Sequence, residues 1–582
     1  MHLARSPGRR RPDLRFAALV ALIVAAFVTV PLAAPARAAG SVVKVTGSQG
    51  NWQLQVNGSP YVVKGVTWGP AVSDAEKYMP DLASMGVNTI RTWGTDGTSK
   101  PLLDSAAAHG VKVIAGFWLQ PGGGPGSGGC VDYVTDSTYK TNMLNEIGNW
   151  VTTYRDNPGV LMWNVGNESV LGMQNCFSGT ALENERNAYT SFVNDVAVKI
   201  HGIDPNHPVT STDAWTGAWP YYKANTPALD LYAVNSYNGV CAVKQTWIDG
   251  GYSKPYIITE TGPAGEWEVA NDGNGVPAEP TDQAKAAGYT NAWNCITGHH
   301  GVALGATMFH YGIEQDFGGV WFNLIPAGLK RLSYYAVQQA YGGPAPANTP
   351  PVISNMAVAN AASVAAGQPF DVTASVRDPQ NDPVSYTIKV SGKYATGDGT
   401  LTNAAFTQTG NGSFRVTAPQ QLGVWKVYIF AQDGKGNVGI ETKSFRVVPP
   451  QVGGVNLARG RPATASSYQT YQNLVPGNAT DGDLATRWAS DWSDPQWIQV
   501  DLGSVHSFDH VQLVWESAYA KAYTIQTSDN GTDWRTAYST TTGDGGVDDL
   551  GVSGSGRYVR VNGTQRGTGY GYSLYDLGVY GS

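Results

Sequence analysis

Between Ser41 and about Gly343 the chain alternates short apolar runs with longer amphipathic stretches, and this alternation leaves few folds open. Strands of a parallel sheet are covered on both faces, so they read as near-continuous apolar runs rather than alternating ones. Eight such runs occur: Tyr61–Trp68, Val87–Trp93, Val111–Trp118, Leu161–Glu168, Val209–Asp213, Leu231–Tyr237, Tyr256–Glu260 and Leu304–His310. Helices are expected between them over Asp74–Met85, Lys100–His109, Tyr139–Tyr154, Glu183–Ile200 and Asp282–Thr297. The first two stop at Gly86 and Gly110, where a helix end favours glycine. The third carries Leu144, Ile147 and Val151 at helical spacing. Eight strand–helix units in about 300 residues is the size of a (β/α)₈ TIM barrel. Val42–Gly58 reads as an antiparallel hairpin plugging the barrel's bottom or side.

The polar residues of this region gather where the apolar runs end. Trp163-Asn164-Val165-Gly166-Asn167-Glu168 closes the fourth run, and Tyr256-Ile257-Ile258-Thr259-Glu260 the seventh. The C-terminal ends of barrel strands carry active sites. A carboxylate at a buried strand tip is costly unless it is paired or functional. Two of them are the minimum equipment for breaking a glycosidic bond. Arg91 and Tyr237 end other strands, and Trp68 and Trp118 stand at the tips of the first and third.

The chain has 582 residues, 18 of them Trp and 30 Tyr, and aromatic faces suit the apolar faces of sugar rings. A net charge of -7 with only 14% charged residues and no basic stripe argues against a nucleic-acid partner. Arg5, Arg9, Arg10 and Arg11, the apolar stretch Phe16–Val30 and Ala36-Arg37-Ala38 form the three parts of an export signal over residues 1–38. No later run is long enough to span a membrane, so a secreted, extracellular monomer is expected, without a membrane partner. Export permits disulfides. Cys130, Cys176, Cys241 and Cys295 allow three pairings; Cys130–Cys176 with Cys241–Cys295 is favoured because each joins neighbouring barrel loops.

After a Pro/Gly-rich linker at Gly342–Pro351, residues 352–449 read as an immunoglobulin-like β-sandwich acting as a spacer, with strand-forming stretches at Val364–Val372 and Gly423–Phe430 and a loop at Asp378–Pro383. Pro449-Pro450 starts the next linker, and residues 454–582 are again β-rich.

Two resemblances sharpen this reading. The strand-tip motifs around Glu168 and Glu260 resemble the clan of retaining glycoside hydrolases that includes the family-2 barrels and fungal β-1,3-glucanosyltransferases. The resemblance implies Glu168 as acid/base and Glu260 as nucleophile, with Asn167 on the sugar 2-hydroxyl and with Arg91 and Tyr237 keeping Glu260 ionised. Clan members often carry Trp at the end of strand eight; Phe309-His310-Tyr311 stands there instead, which makes Trp321 a candidate subsite floor.

The last block resembles the discoidin or coagulation-factor type C family, a jelly-roll β-sandwich, in its carbohydrate-binding form. Asn456–Pro462, Ala479–Asp483, Thr486-Arg487-Trp488, Trp497–Gly503 and Arg557–Val561 carry that resemblance. Tyr468, Trp492, Tyr519 and Tyr570 are its candidate sugar-stacking residues. The resemblance also implies a structural Ca²⁺ on Asp481, Asp483 and Thr486, closed by Asp576 where the family usually has a glutamate.

The expectation is a secreted retaining β-glycosidase, needing no catalytic cofactor, that hydrolyses a polysaccharide, with β-1,3-glucan as one candidate. A transglycosylase with the same pair and a non-catalytic polysaccharide-binding protein are the alternatives. Glu266, Glu268, Glu314 and Asp316 form either an amino-sugar subsite or a solvated acidic rim.

Overall fold

The computed structural model describes residues 40–122, 129–312 and 319–581. The export signal and the acidic pair Glu314 and Asp316 lie outside the described residues. Among the described residues no helix is long and apolar enough to cross a membrane.

Eight parallel strands close into a barrel in chain order. They are β1 (Val63–Trp68), β2 (Thr89–Arg91), β3 (Lys112–Phe117), β4 (Val160–Asn167), β5 (Val209–Asp213), β6 (Tyr232–Asn235), β7 (Tyr256–Thr261) and β8 (Ala303–Tyr311). The five expected helices form with ends within a few residues of their sequence signals, as at Ala75–Ser84 and Asp282–Gly298. Further helices at Trp219–Asn225, Val243–Asp249 and Leu332–Ala340 complete the outer ring.

The expected hairpin is a three-stranded sheet, Val43–Thr46, Gln53–Val56 and Ser59–Tyr61, at the barrel's bottom. Val43 and Leu54 pack on Val63, Leu161, Leu231, Ile257 and Leu304, residues from the N-terminal ends of the strands. The mouth at the other end is left for chemistry. Both favoured disulfides are present, Cys130–Cys176 and Cys241–Cys295.

The middle domain packs a four-stranded sheet on a five-stranded one around Phe370, Val372, Ile388, Phe414, Val427 and Phe445. The run Val364–Val372 divides between the two sheets, and Gly367 makes the break with φ +67°, a conformation open to glycine. The C-terminal domain is a second sandwich of two five-stranded sheets, with Trp488 in its core.

The middle sandwich is fastened to the barrel, which corrects its reading as a mere spacer. Glu279 and Lys285 of the barrel pair at 2.6 Å, and Lys426 of the sandwich reaches the same carboxylate at 3.5 Å, all almost fully buried. Tyr428 donates to Glu279 at 3.1 Å. Asp282 takes a bond from Arg331 on one oxygen and the backbone N–H of Ile440 on the other. Val320 joins Tyr428, Phe430, Val438 and Ile440 in an apolar patch across the junction.

Removing one partner of a buried charge costs roughly 3–5 kcal/mol. A chain ending at Gly343 strips Glu279, Asp282 and Val320 of their sandwich partners. Its barrel is expected to melt about 10 °C or more below a chain ending at Pro450. Equal midpoints in differential scanning calorimetry would show that the junction holds nothing together.

Candidate active site

The site grows from two strand tips whose backbones leave the strand abruptly. At the end of β4, Gly166 has φ +75°, and a Cβ there would lie 2.1 Å from the Tyr189 hydroxyl. Glu168 is in the left-handed region at φ 56°. A non-glycine residue there stores strain, which clusters at functional sites. The turn is held by its neighbour strand. The Glu168 N–H donates to Thr212 O at 3.0 Å, and Asp213 accepts from the N–H of Val170 and Leu171. Burial raises the Asp213 carboxyl to about 6 against these bonds.

Arg91 stands at the centre, fully buried. Its Nη1 donates to Glu260 Oε1 at 2.6 Å and to Thr259 O at 3.2 Å, and its Nη2 to Asn167 Oδ1 at 2.7 Å. Glu260 is completed by Trp93 Nε1 on Oε1 at 3.2 Å and by the Tyr237 hydroxyl on Oε2 at 3.0 Å. Burial, with Glu260's charge second, raises the Tyr237 hydroxyl far above its ordinary value, so Tyr237 stays a donor.

Glu168 has a different setting. Its Oε1 accepts from Asn235 Nδ2 at 2.7 Å, and the same amide group reaches Asn167 Oδ1 at 3.2 Å. Thr259 donates to Asn235 Oδ1 at 2.9 Å and fixes that orientation. Burial first, then the charge of Glu260, pushes the Glu168 carboxyl up to about 8. One carboxylate is caged by donors and the other is biased to hold a proton. That is how two carboxyl groups acquire separate roles.

The structure therefore joins Arg91, Asn167, Glu168, Tyr237 and Glu260 in one network. It also adds Trp93, Asn235 and Asp213, which the sequence reading missed. Asn235 and Trp93 sit at strand ends like the residues that were found, but their parts in the network come from what other strands bring to them.

The expected aromatic platforms are corrected. Trp321 is 1% exposed, with its Nε1 bonded to Ala264 O and Lys426 lying 4.9 Å over its ring. It is a pillar behind Phe322, and Phe322 packs on Tyr237. Trp68 is buried against Tyr311 and Tyr78, the first of these ring contacts stacked. Trp118 remains partly exposed. Trp267, 56% exposed, meets Tyr237 edge-on at 5.2 Å, and Tyr237 in turn donates to Glu260. Of the acidic rim, Glu266 pairs with Lys393 of the sandwich at 2.6 Å, and Glu268 accepts from the N–H of Asn238 and Gly265. Both are committed to structure.

A second candidate site is a cleft on the C-terminal sandwich. Tyr471, Trp492 and Tyr570 line a cleft of about 330 Å³ together with Glu516 and Arg487. Trp492 and Tyr570 meet edge-on at 5.4 Å, and Arg566 ties their backbones by bonding to Trp492 O and Tyr570 O. Tyr468 and Tyr519 do not line this cleft; the Tyr519 ring is wedged against Gly545 and Gly567.

Asp481, Asp483 and Thr486 share one turn, in which Thr486 donates to Asp481 at 2.7 Å. Asp576 comes from the last strand, and burial raises its carboxyl to about 6, with Arg459 opposing and Asp481 adding to the rise. These are oxygen groups of the kind a hard cation takes, with Arg459 bonded to Gly482 O at 3.3 Å beside them.

Comparison with known proteins bears mainly on this last domain. Residues 462–577 match the F5/8 type C domain family. Chitosan-binding modules 1 and 2 of a chitosanase/glucanase from Paenibacillus sp. IK-5, the second solved with chitotriose, are 49% and 47% identical to this chain. Each is matched over 100% of its length by 22% of this chain, with TM-scores of 0.22 and 0.21. The "Polysaccharide lyase 8 family protein HylA" of Enterococcus faecalis is 36% identical over 76 residues, 13% of this chain. The chain spans only 6% of that relative's length. A β-glucuronidase from Bacteroides uniformis is 12% identical over 93% of this chain and 67% of its own, with a TM-score of 0.42. The C-terminal domain is thus a discoidin-like carbohydrate-module fold. It belongs to the F5/8 type C family.

The raised Glu168 carboxyl has a consequence for stability. Its folded value exceeds the ordinary 4.5, so the folded chain keeps a proton that the unfolded chain releases. That contribution is favourable at low pH and is lost as pH rises toward about 8. Glu168→Gln is expected to match the wild type in melting temperature near pH 5 and to exceed it near pH 9. A difference that stays constant across that range would mean Glu168 ionises as an exposed glutamate does.

Proposed function

We propose that the chain is an exported retaining β-glycosidase acting on a β-linked polysaccharide, and that its C-terminal module holds it on a glucosamine-containing polymer. The carrying observation is the opposed setting of the two carboxyl groups on one network: Glu260 in its cage of Arg91, Trp93 and Tyr237, Glu168 raised to about 8. Glu168 donates its proton to the glycosidic oxygen as the bond to the anomeric carbon breaks. Glu260 attacks that carbon from the opposite face and forms a glycosyl ester. Water, losing a proton to Glu168, then displaces Glu260 and restores the original configuration. Asn167 spends its Oδ1 on Arg91 and Asn235, which leaves its NH₂ group to donate to the sugar 2-hydroxyl.

For the polymer, the near-50% identity to chitosan-binding modules favours chitosan as the anchor. Tyr471, Trp492 and Tyr570 supply stacking faces, and Glu516 a carboxylate for a sugar ammonium. In the barrel, β-1,3-glucan and chitosan are the backbones to test. Asp481, Asp483, Thr486 and Asp576 would hold a Ca²⁺ that shapes the module's loops.

Azide separates the two glutamates. Glu260→Ala should regain turnover with azide and yield a glycosyl azide of inverted configuration, since one displacement remains. Glu168→Ala, given a substrate with a good leaving group, should yield a glycosyl azide of retained configuration. NMR of the products reads both outcomes; exchanged configurations would exchange the roles, and rescue of neither would sink the retaining mechanism.

The module is tested apart from catalysis. Trp492→Ala with Tyr570→Ala removes two stacking faces worth about 1 kcal/mol or more each. Retention on insoluble chitosan should fall at least tenfold, with turnover of short soluble oligosaccharides unchanged. Undiminished retention would place the polymer elsewhere.

A further inference from the structure

The middle sandwich gathers three carboxylates, and one buried oxygen among them has no hydrogen-bond partner. Asp378 and Asp382 lie on the loop between strands Pro369–Arg377 and Ser385–Ser391. Asp433 lies on the loop between Gly423–Gln432 and Val438–Val448. One carboxylate oxygen from each comes within 4.8 Å of the other two. Asp378 and Asp433 are only 5% and 3% exposed.

Their partners are all neutral amides. Asp378 Oδ1 accepts from the N–H of Gln380 and Asp382, both at 2.9 Å. Asp433 accepts from the N–H of Lys435 and Asn437 on one oxygen and from Asn437 Nδ2 on the other. Asp382 Oδ2 accepts from Asn348 Nδ2. The second oxygen of Asp378, Oδ2, is buried without a hydrogen-bond partner. A buried acceptor left bare among like charges is unstable unless a cation supplies what the amides do not.

We propose that Asp378, Asp382 and Asp433 form a calcium site that locks the junction between the barrel and the sandwich. The ligand chemistry selects the ion. All three groups are carboxylates, which excludes the nitrogen and sulfur sets that zinc prefers. Calcium takes six to eight hard oxygen ligands in flexible geometry, and three carboxylate oxygens gathered from two loops, all within 4.8 Å of one another, can share one such ion. Magnesium demands near-ideal octahedral geometry and gives up its waters reluctantly, which suits a set gathered from separate loops less well.

The surroundings explain what the ion would hold. Asn348 belongs to the linker that leaves the barrel, and its Oδ1 accepts from Asn437 Nδ2 at 2.7 Å. Asn437 Oδ1 accepts from the hydroxyl of Tyr335 on the last barrel helix at 2.6 Å. The backbone of Lys330 bonds to Gly436 O and to the N–H of Val438. Linker, both loops and barrel thus meet at the three carboxylates.

The test uses the full chain, stripped with a chelator, in a background carrying Asp481→Asn and Asp576→Asn so that the C-terminal candidate does not contribute. Calorimetric titration with calcium chloride into the millimolar range should reveal one bound ion per chain, since extracellular calcium modules bind at roughly 10⁻⁴–10⁻³ M. Calcium should raise the melting temperature and slow proteolysis in the linker at residues 343–351, and magnesium at the same concentration should do less. Adding Asp378→Asn should weaken calcium at least tenfold and abolish the thermal shift. If that variant does not fold, the partly exposed Asp382→Asn should produce the same loss. Absence of calcium binding in the background protein, or unchanged binding when Asp378 or Asp382 is replaced, overturns the site.

Discussion

A guanidinium with no exposed surface sits at the middle of the barrel, and the candidate site is arranged around its needs. Arg91 is desolvated on all sides, and a charge so placed is tolerated only with its acceptors in position. Glu260 and Thr259 come from β7 and Asn167 from β4, so strands far apart around the barrel must be in register together. A planar fork can serve two such acceptors at once, which a lysine ammonium would do without fixing their angle. Asn235 extends the same network to Glu168. Glu168 is thereby tied, through two amides, to the group that pairs with Glu260.

What the sequence made legible follows from where physical constraint is local. Each barrel strand is buried on both faces, so runs such as Val209–Asp213 and Tyr256–Thr261 stood out almost to the residue. The two glutamates stood out because a carboxylate at the end of such a run needs a reason. Trp93 and Asn235 did not, because their roles come from what other strands bring to them. The aromatics were misread for a related reason. Trp68, Trp321 and Tyr519 look the same in sequence as Trp267 and Tyr471, and only packing decides which ring stays exposed. The short helices Trp219–Asn225 and Val243–Asp249 offer too few turns for a periodic signal.

The proline-rich linker suggested independence, and the packing contradicts it. Lys426 of the sandwich shares Glu279 with Lys285 and covers the ring of Trp321. Trp321 backs Phe322, and Phe322 touches the ring of Tyr237. Lys393 neutralises Glu266 beside the exposed Trp267. The sandwich thus contributes to the wall behind Glu260 although none of its residues bonds to that carboxylate among the described residues.

The bottom sheet has a consequence for the order of assembly. Val43 packs in one cluster with Leu304, and the N–H of Trp52 bonds to Gly301 O. The first strand among the described residues is therefore finished by contacts with the last barrel strand and the turn before it. Contacts between residues so distant along the chain slow folding, because loop entropy is spent before they form. The cluster around Val43 and Leu54 is complete only once β8 has been synthesised. During that interval the nascent chain has an adhesive end, the state in which a chaperone is most useful to it.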